Sequence, residues 1–373
     1  MRQVTSDWNE GYDWSAGIPA CMRATPEKTM ASSNGNRFFV LRTHAGRDAC
    51  GPVGGEHEKT RAWHNAANIL LVLLSCSSAV SAHEGKPHDL EDLLYTWSFD
   101  PLIVFGLLAS AFIYVTGVRN LWRAGGRAHG IGLWAAAAFA GGWISMFVAL
   151  VSPLHPWGEV LFSAHMTQHE ILMLISAPLF VLGRPFVAAM WAVPHASRRP
   201  IGAVFNTSRL KNVWRKLTVP FIAFVIHAIA LWAWHIPFLF QATLKSDLVH
   251  TFQHASFFLS ALLFWWAIIY GGRGLSSYGA GVLYLFITSI HSWLLGVLLT
   301  LTSRVWYPAY SETTAWWGLT PIEDQQLGGL IMWVPAGIVY IIAALIMFSG
   351  WLRESEIRAV RRERRLLDES AAG

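Results

Sequence analysis

Apolar residues in this chain gather into long runs, separated by shorter polar segments in which Trp, Tyr, Arg and Gly recur. A run of about 20 residues crosses the ~30 Å hydrocarbon core of a bilayer at ~1.5 Å of helical rise per residue. The pattern predicts an all-α polytopic membrane protein, a bundle of seven transmembrane helices. The predicted spans are residues 100–118, 131–151, 166–189, 219–239, 250–270, 279–302 and 327–350.

Basic residues concentrate at alternate ends of these spans. They follow the first, third and fifth spans and fill the C-terminal tail, whereas the opposite side, from His83 onward, has only Lys86, Lys245 and Arg304. Because cytoplasmic loops are rich in Lys and Arg, we expect the N-terminus outside and the C-terminus in the cytoplasm of a bacterial inner (plasma) membrane. The formal net charge of +5 therefore reflects topology and does not indicate nucleic-acid binding.

The residues ahead of the spans divide into two predicted segments. Residues 1–58 are polar and without periodicity, which is typical of disorder or of a gene start placed too far upstream. Residues 59–82 combine basic, apolar and small residues in the order of a secretory signal peptide. The seven-helix domain would then occupy residues 83–352, and a basic cytoplasmic tail residues 353–373.

The 3 cysteines, Cys21, Cys50 and Cys76, all precede the predicted spans. Residues 73–76 also loosely resemble a lipoprotein cleavage box, in which Cys76 would be lipidated. No thiolate is available within the bundle. A metal bound there must therefore be held by imidazole, thioether, carboxylate, amide or backbone groups.

Histidines gather at the predicted outer ends of the spans. They are His165 and His169 in the third span, His235 in the fourth, and His250 and His254 in the fifth. The first and last pairs are each one helical turn apart and share a helix face. Since ionisable residues inside a membrane are costly and tend to mark functional sites, this shared depth predicts a metal or cofactor site near the outer leaflet.

Other donors stand close to these histidines or deeper in the bundle. Imidazole nitrogen combined with soft thioether sulfur suits copper better than magnesium or calcium. The predicted metal ligands are therefore His165, Met166, His169, His235, His250, His254, His291, Asp324 and Met332. Release of copper to a partner is expected to need an exposed site. The opposing interpretation is that these histidines cap helices, and that the deeper His227 and His291 are structural or form a relay.

Five short motifs occur at these positions. They are His-Met-Thr-Gln-His at 165–169, Leu-Gly-Arg-Pro at 182–185, Leu-Trp-Ala-Trp-His-Ile-Pro at 231–237, His-Thr-Phe-Gln-His at 250–254 and Asp-Gln-Gln-Leu-Gly-Gly at 324–329. Together they resemble the CtaG-type assembly factors of caa-type cytochrome c oxidase. The resemblance implies a seven-helix protein that is needed to make active cytochrome oxidase and that delivers copper or matures a metal centre. Loading of the site would need an outer partner, either a periplasmic copper carrier or the oxidase subunits.

Three other functions remain open from the sequence. A copper permease would use His227, His291 and Met332 as a path. A b-type membrane cytochrome would ligate haem between paired histidines on facing helices. An intramembrane metal hydrolase would hold zinc with three histidines and use Asp324 or Glu170. The assembly-factor hypothesis implies no catalytic turnover, whereas the hydrolase would be an enzyme.

Overall fold

The computed structural model describes residues 30–33, 36–39, 95–271 and 275–372. The chain divides into two units, Met1–Ser81 and Ala82–Gly373. In the first unit, β1 (Met30–Ser33) pairs with β2 (Asn36–Phe39) in an antiparallel hairpin that the sequence analysis did not predict. The predicted signal peptide and the mature start near His83 lie outside the described residues.

The regular structure in the described part of the second unit is helical. The helices are α1 (Pro101–Gly125), α2 (Leu133–Val151), α3 (Leu154–Val160), α4 (Phe162–Glu170), α5 (Ala177–Leu182), α6 (Pro185–Ala192), α7 (His195–Phe205), α8 (Ser208–Leu217), α9 (Pro220–Trp234), α10 (Pro237–Thr243), α11 (Asp247–Tyr270), α12 (Leu275–Leu301) and α13 (Pro321–Ala372). A π-helical segment, Ile171–Ser176, joins α4 to α5, and two 3-10 turns, Pro308–Tyr310 and Thr314–Trp317, lie between α12 and α13.

Five of these helices, α1, α2, α11, α12 and α13, are long and apolar enough to cross a membrane. Two bent pairs meet the same criterion. One combines α4 and α5 with α6 at 55°, and the other combines α8 with α9 at 66°. The chain is therefore a helical membrane protein with five to seven candidate membrane helices. Each of the seven predicted spans overlaps one or more of them.

The third predicted span differs from a single straight helix. Arg184 adopts a left-handed backbone conformation with φ 54°, and Pro185 begins α6. Proline disfavours a right-handed helical conformation in the residue before it, so the helix stops and the chain turns there. Upstream, the π-helical segment widens one turn, and the indole nitrogen of Trp265 donates to the carbonyl oxygen of Met173 at 2.9 Å.

Small residues let neighbouring helices approach closely in this bundle. A Cβ added to Gly296 of α12 would lie 2.9 Å from the carbonyl oxygen of Gly329 in α13. A Cβ added to Gly117 of α1 would overlap the backbone carbonyl of Ala188 in α6. These contacts hold α12 against α13 and α1 against α6.

We predict that Gly117→Ala destabilises the protein, because the added methyl group meets backbone that cannot move aside. Overpacking of this kind costs about 1–3 kcal/mol. Gly106→Ala in the same helix is the matched control, since nothing lies within 4 Å of its added Cβ. Thermal unfolding in detergent should show a lower midpoint for Gly117→Ala and a wild-type or higher midpoint for Gly106→Ala. Equal midpoints would show that α1 does not depend on this contact.

Candidate metal centre

Three of the predicted ligands meet inside the bundle: His165 of α4 and His250 and His254 of α11. One ligand atom from each lies within 4.8 Å of the other two. The rings of His165 and His250 stack at 5.0 Å between centroids, and those of His250 and His254 lie 4.3 Å apart. We call these three residues the imidazole trio. Its geometry places nitrogen donors from two helices close enough together to bind one metal ion.

Two further imidazoles border the trio. The ring of His169 lies 4.4 Å from that of His165 and 5.3 Å from that of His254. The ring of His155, from α3, stacks on His250 at 5.3 Å. The sequence analysis did not include His155 among the ligands, because nothing local fixes the direction of a loop residue. The available signal was its position on the predicted outer side, between the second and third spans.

Several nitrogens of these rings have no hydrogen-bond partner among the described residues. They are Nδ1 and Nε2 of His169, Nε2 of His250 and Nε2 of His254. Buried polar atoms are nearly always hydrogen-bonded, and an unsatisfied one costs ~1–3 kcal/mol. A neutral imidazole nitrogen with a free lone pair is also a common metal ligand. The trio therefore fits a metal ion, which would give the Nε2 atoms of His250 and His254 a partner.

Contacts with Gly158 and Gln253 orient the ring of His165. Its Nδ1 lies 3.1 Å from the carbonyl oxygen of Gly158, which makes Nδ1–H the natural donor. Its Nε2 lies 3.2 Å from the side-chain oxygen of Gln253, in the same turn of α11 as the other trio residues. A rotation of that amide by about 180° would present its NH2 group to an unprotonated Nε2. A backbone partner of this kind fixes the tautomer of a metal-binding histidine and raises its basicity.

Outside the membrane-spanning segments, burial lowers the pKa of His155, while the carboxylates of Asp100 and Asp247 act in the opposite direction. The net lowering keeps this imidazole neutral near pH 7. Its Nδ1 lies 3.1 Å from the amide nitrogen of Gln168, which also donates to the carbonyl oxygen of Ala149 at 2.7 Å. His155 is thus held in place as a neutral neighbour of the trio.

A second pair of donors lies beside His169. His235 directs Nδ1 to the carbonyl oxygen of Leu231 at 2.6 Å, so its Nε2 is free of a proton and lies 3.4 Å from the sulfur of Met166. The rings of His169 and His235 are 6.4 Å apart. Met332 is 1% exposed and belongs to the same apolar cluster as Met166. We call His235 and Met166 the imidazole–thioether pair.

The structure places Asp324 at the start of α4 and not among the imidazoles. One carboxylate oxygen accepts from the backbone N–H of Phe162 at 2.7 Å, and the other accepts from the backbone and hydroxyl of Ser163 at 3.1 and 2.6 Å. The first N–H groups of a helix lack intrahelical partners and favour a negative charge. Asp324 of α13 meets that need and so positions the helix that bears His165.

His291 also lies apart from the trio. Its Nδ1 accepts from the indole nitrogen of Trp232 at 3.4 Å, and its ring packs against Phe224 at 5.5 Å. The cause is the position of α12, which packs against α9 and α13. His227 lies deeper in α9 and contacts the hydroxyl of Ser260 at 3.1 Å, in line with a structural role.

Two tyrosines cover the centre from the segment between α12 and α13. The hydroxyl of Tyr310 donates to the carbonyl oxygen of Gly158 at 2.9 Å, and that of Tyr307 donates to the carbonyl oxygen of His235 at 2.8 Å. Burial raises the pKa of both phenols, so both hydroxyls keep their protons. The trio residues are 0–7% exposed. The expectation of an exposed site was therefore wrong, because α3 and these tyrosines fold over the imidazoles.

Residues 112–354 match a protein-family model described as cytochrome c oxidase caa3 assembly factor (Caa3_CtaG). Among curated proteins, the chain is 28% identical over 289 residues to uncharacterized proteins of Mycobacterium bovis and Mycobacterium tuberculosis. It is 26% identical over the same length to one of Mycobacterium leprae. These alignments cover 75% of this chain and 43% of each relative, so the chain spans less than half the length of the relatives. No solved structure matches.

We predict that Asp324→Asn lowers thermal stability without removing bound metal, because the carboxylate supports a helix start. Loss of charge-assisted hydrogen bonds at a buried cap costs about 1–3 kcal/mol. Glu323→Gln is the control, since this neighbouring carboxylate is exposed and bonds to Thr320. Unfolding midpoints and metal content of both variants provide the measurement. A variant at position 324 that loses metal but keeps wild-type stability would make Asp324 a ligand.

Proposed function

The chain belongs to the family of cytochrome c oxidase caa3 assembly factors, and we propose that it assists assembly of a cytochrome c oxidase by holding copper in the imidazole trio. The observation behind this proposal is the convergence of His165, His250 and His254, whose ligand atoms lie within 4.8 Å of one another. His250 and His254 each keep an unpartnered nitrogen there. The buried cluster would receive the ion, keep it from solvent and pass it to an oxidase subunit.

The neighbouring imidazole–thioether pair favours copper over zinc. Three imidazoles fit either metal, but a thioether is a soft ligand that selects Cu(I). The nitrogen of His235 and the sulfur of Met166 lie 3.4 Å apart, so a small local movement would admit an ion between them. A centre that offers both nitrogen and sulfur donors can exchange ligands with an incoming partner, which suits transfer.

The packing of the rings argues against the other hypotheses. A haem between His165 and His250 needs a slot for the porphyrin, whereas these rings stack directly at 5.0 Å. Of the two carboxylates that a hydrolase would use, Asp324 directs its oxygens to the start of α4 and away from the trio. Against a permease path, His227 and His291 each have a local partner at Nδ1, while Nε2 of His291 has none among the described residues.

We further propose that each bent helix pair contributes one span, with the basic α8 lying at the cytoplasmic end of the second pair. This gives seven spans with the N-terminus outside and the C-terminus in the cytoplasm. The exposed basic residues of α8 and the basic end of α13 support this orientation, because both fall on the predicted cytoplasmic side. The trio then lies toward the outer face of a bacterial plasma membrane. Oxidase subunits and a periplasmic copper carrier would meet the protein on that face.

Metal content of the purified, copper-loaded full chain tests the proposal. We expect stoichiometric copper in the wild type and its loss in His165→Ala/His254→Ala, because that variant leaves one trio imidazole. His227→Ala/His291→Ala is the matched control, which removes two partly or fully buried histidines outside the trio and should keep its copper. Zinc in place of copper, a haem Soret band, or equal copper in the two double variants would contradict the proposal.

Met166→Leu tests whether the imidazole–thioether pair takes up Cu(I) in addition to the copper held by the trio. X-ray absorption of the Cu(I)-loaded protein should show a sulfur neighbour in the wild type, because thioether sulfur prefers Cu(I). That signal should disappear in Met166→Leu. Met173→Leu is the control, since Met173 is a similarly buried methionine of the π-helical segment. A sulfur signal that survives Met166→Leu but disappears in Met173→Leu would contradict the proposal, because Met173 would then be the sulfur ligand.

A further inference from the structure

A polar cavity of about 140 Å³ lies beside the imidazole trio. Carboxylates from three separate elements line it: Asp100 precedes α1, Glu159 is on α3 and Asp247 is in the first turn of α11. The side chains of Glu159 and Asp247 are exposed, so the acidic side of the cavity opens to solvent. No Lys or Arg is among its described lining residues, so the carboxylates give the cavity a net negative charge.

The other side of the same cavity is formed by imidazoles. His155, His250 and His254 line it, and His250 and His254 are only 7% and 5% exposed. Each of these two has an Nε2 without a hydrogen-bond partner among the described residues. The same two residues belong to the trio. The cavity therefore runs from solvent-exposed carboxylates to buried, unpartnered nitrogens of the centre.

The size and chemistry of the cavity indicate what it admits. A water molecule takes up ~30 Å³ in the liquid, so this volume accommodates a metal ion with a few waters but not a protein segment. Carboxylate oxygens are hard donors that suit a hydrated divalent cation, whereas imidazole is the preferred ligand of Cu(II) among the groups present. A cleft lined by one sign of charge raises the local concentration of the opposite ion.

We propose that this cavity is an acidic port through which copper enters as a small hydrated cation. Glu159 and Asp247 attract the ion, and His250 and His254 take it up in exchange for its waters. No change of oxidation state is involved in this step. The inference rests on the function proposed above, and it adds a route: the ion reaches the trio from solution through the port, without a carrier protein inserting a loop into the site.

The rate of copper uptake tests the port. The full chain in detergent would be mixed with copper(II) sulfate in a stopped-flow instrument, and binding would be followed at low and high ionic strength. For Glu159→Gln/Asp247→Asn we expect uptake at least ~10-fold slower at low salt, because attraction by a charged cleft changes on-rates by ~10–10³. The difference should shrink at high salt, where charges are screened. The amount of copper bound at equilibrium should stay at the wild-type value.

Glu312→Gln/Glu323→Gln is the matched control, since it removes two exposed carboxylates that do not line the cavity. Its uptake should equal that of the wild type. Equal rates of copper uptake in both double variants, whether unchanged or slowed, would contradict the proposal that copper enters through the port. Loss of equilibrium binding in the port variant would also overturn it, because the port lies outside the final site. A wild type that binds no copper would instead refute the proposed function itself.

Discussion

Burial of imidazole nitrogens among apolar helices is the constraint that shapes this protein, because a buried polar atom costs free energy unless it has a partner. His165 and His235 each meet this requirement with one nitrogen, through the carbonyl oxygens of Gly158 and Leu231. Both nitrogens of His169 and the Nε2 atoms of His250 and His254 stay unpartnered among the described residues. A metal ion in the trio would give the Nε2 atoms of His250 and His254 a partner, so the cost of burying these histidines favours a ligand.

The rest of the bundle holds these rings in place from several directions. Asp324 caps the start of α4 and so sets the rotation of the turn that bears His165. Tyr307 and Tyr310 bond to backbone carbonyls on two sides of the centre. The indole nitrogen of Trp265 donates to the carbonyl oxygen of Met173 in the π-helical segment that follows α4. Ligands fixed by such supporting contacts bind a metal with less loss of conformational freedom.

The donors around the centre differ in chemical character and in burial. Carboxylate oxygens at Glu159 and Asp247 open to solvent, imidazoles follow at the trio, and the sulfur of Met166 lies beyond His169. Hard ligands give way to softer ones as burial increases. A Cu(II) ion that enters at the exposed carboxylates would thus meet imidazoles, its preferred ligands among these groups, at the trio. This order suits a protein that collects a metal and holds it for a partner.

The sequence by itself determined the helical membrane class and the spacing of each histidine pair. These properties depend on local periodicity, hydropathy and backbone chemistry, which need no knowledge of neighbouring elements. Only the tertiary structure decided which helix faces meet. In the folded protein, His155 of α3 stacks on His250. Asp324 accepts hydrogen bonds from the start of α4, and His291 accepts one from Trp232. Such choices follow from helix packing and from competing hydrogen-bond partners far apart in the chain, which residue spacing does not encode.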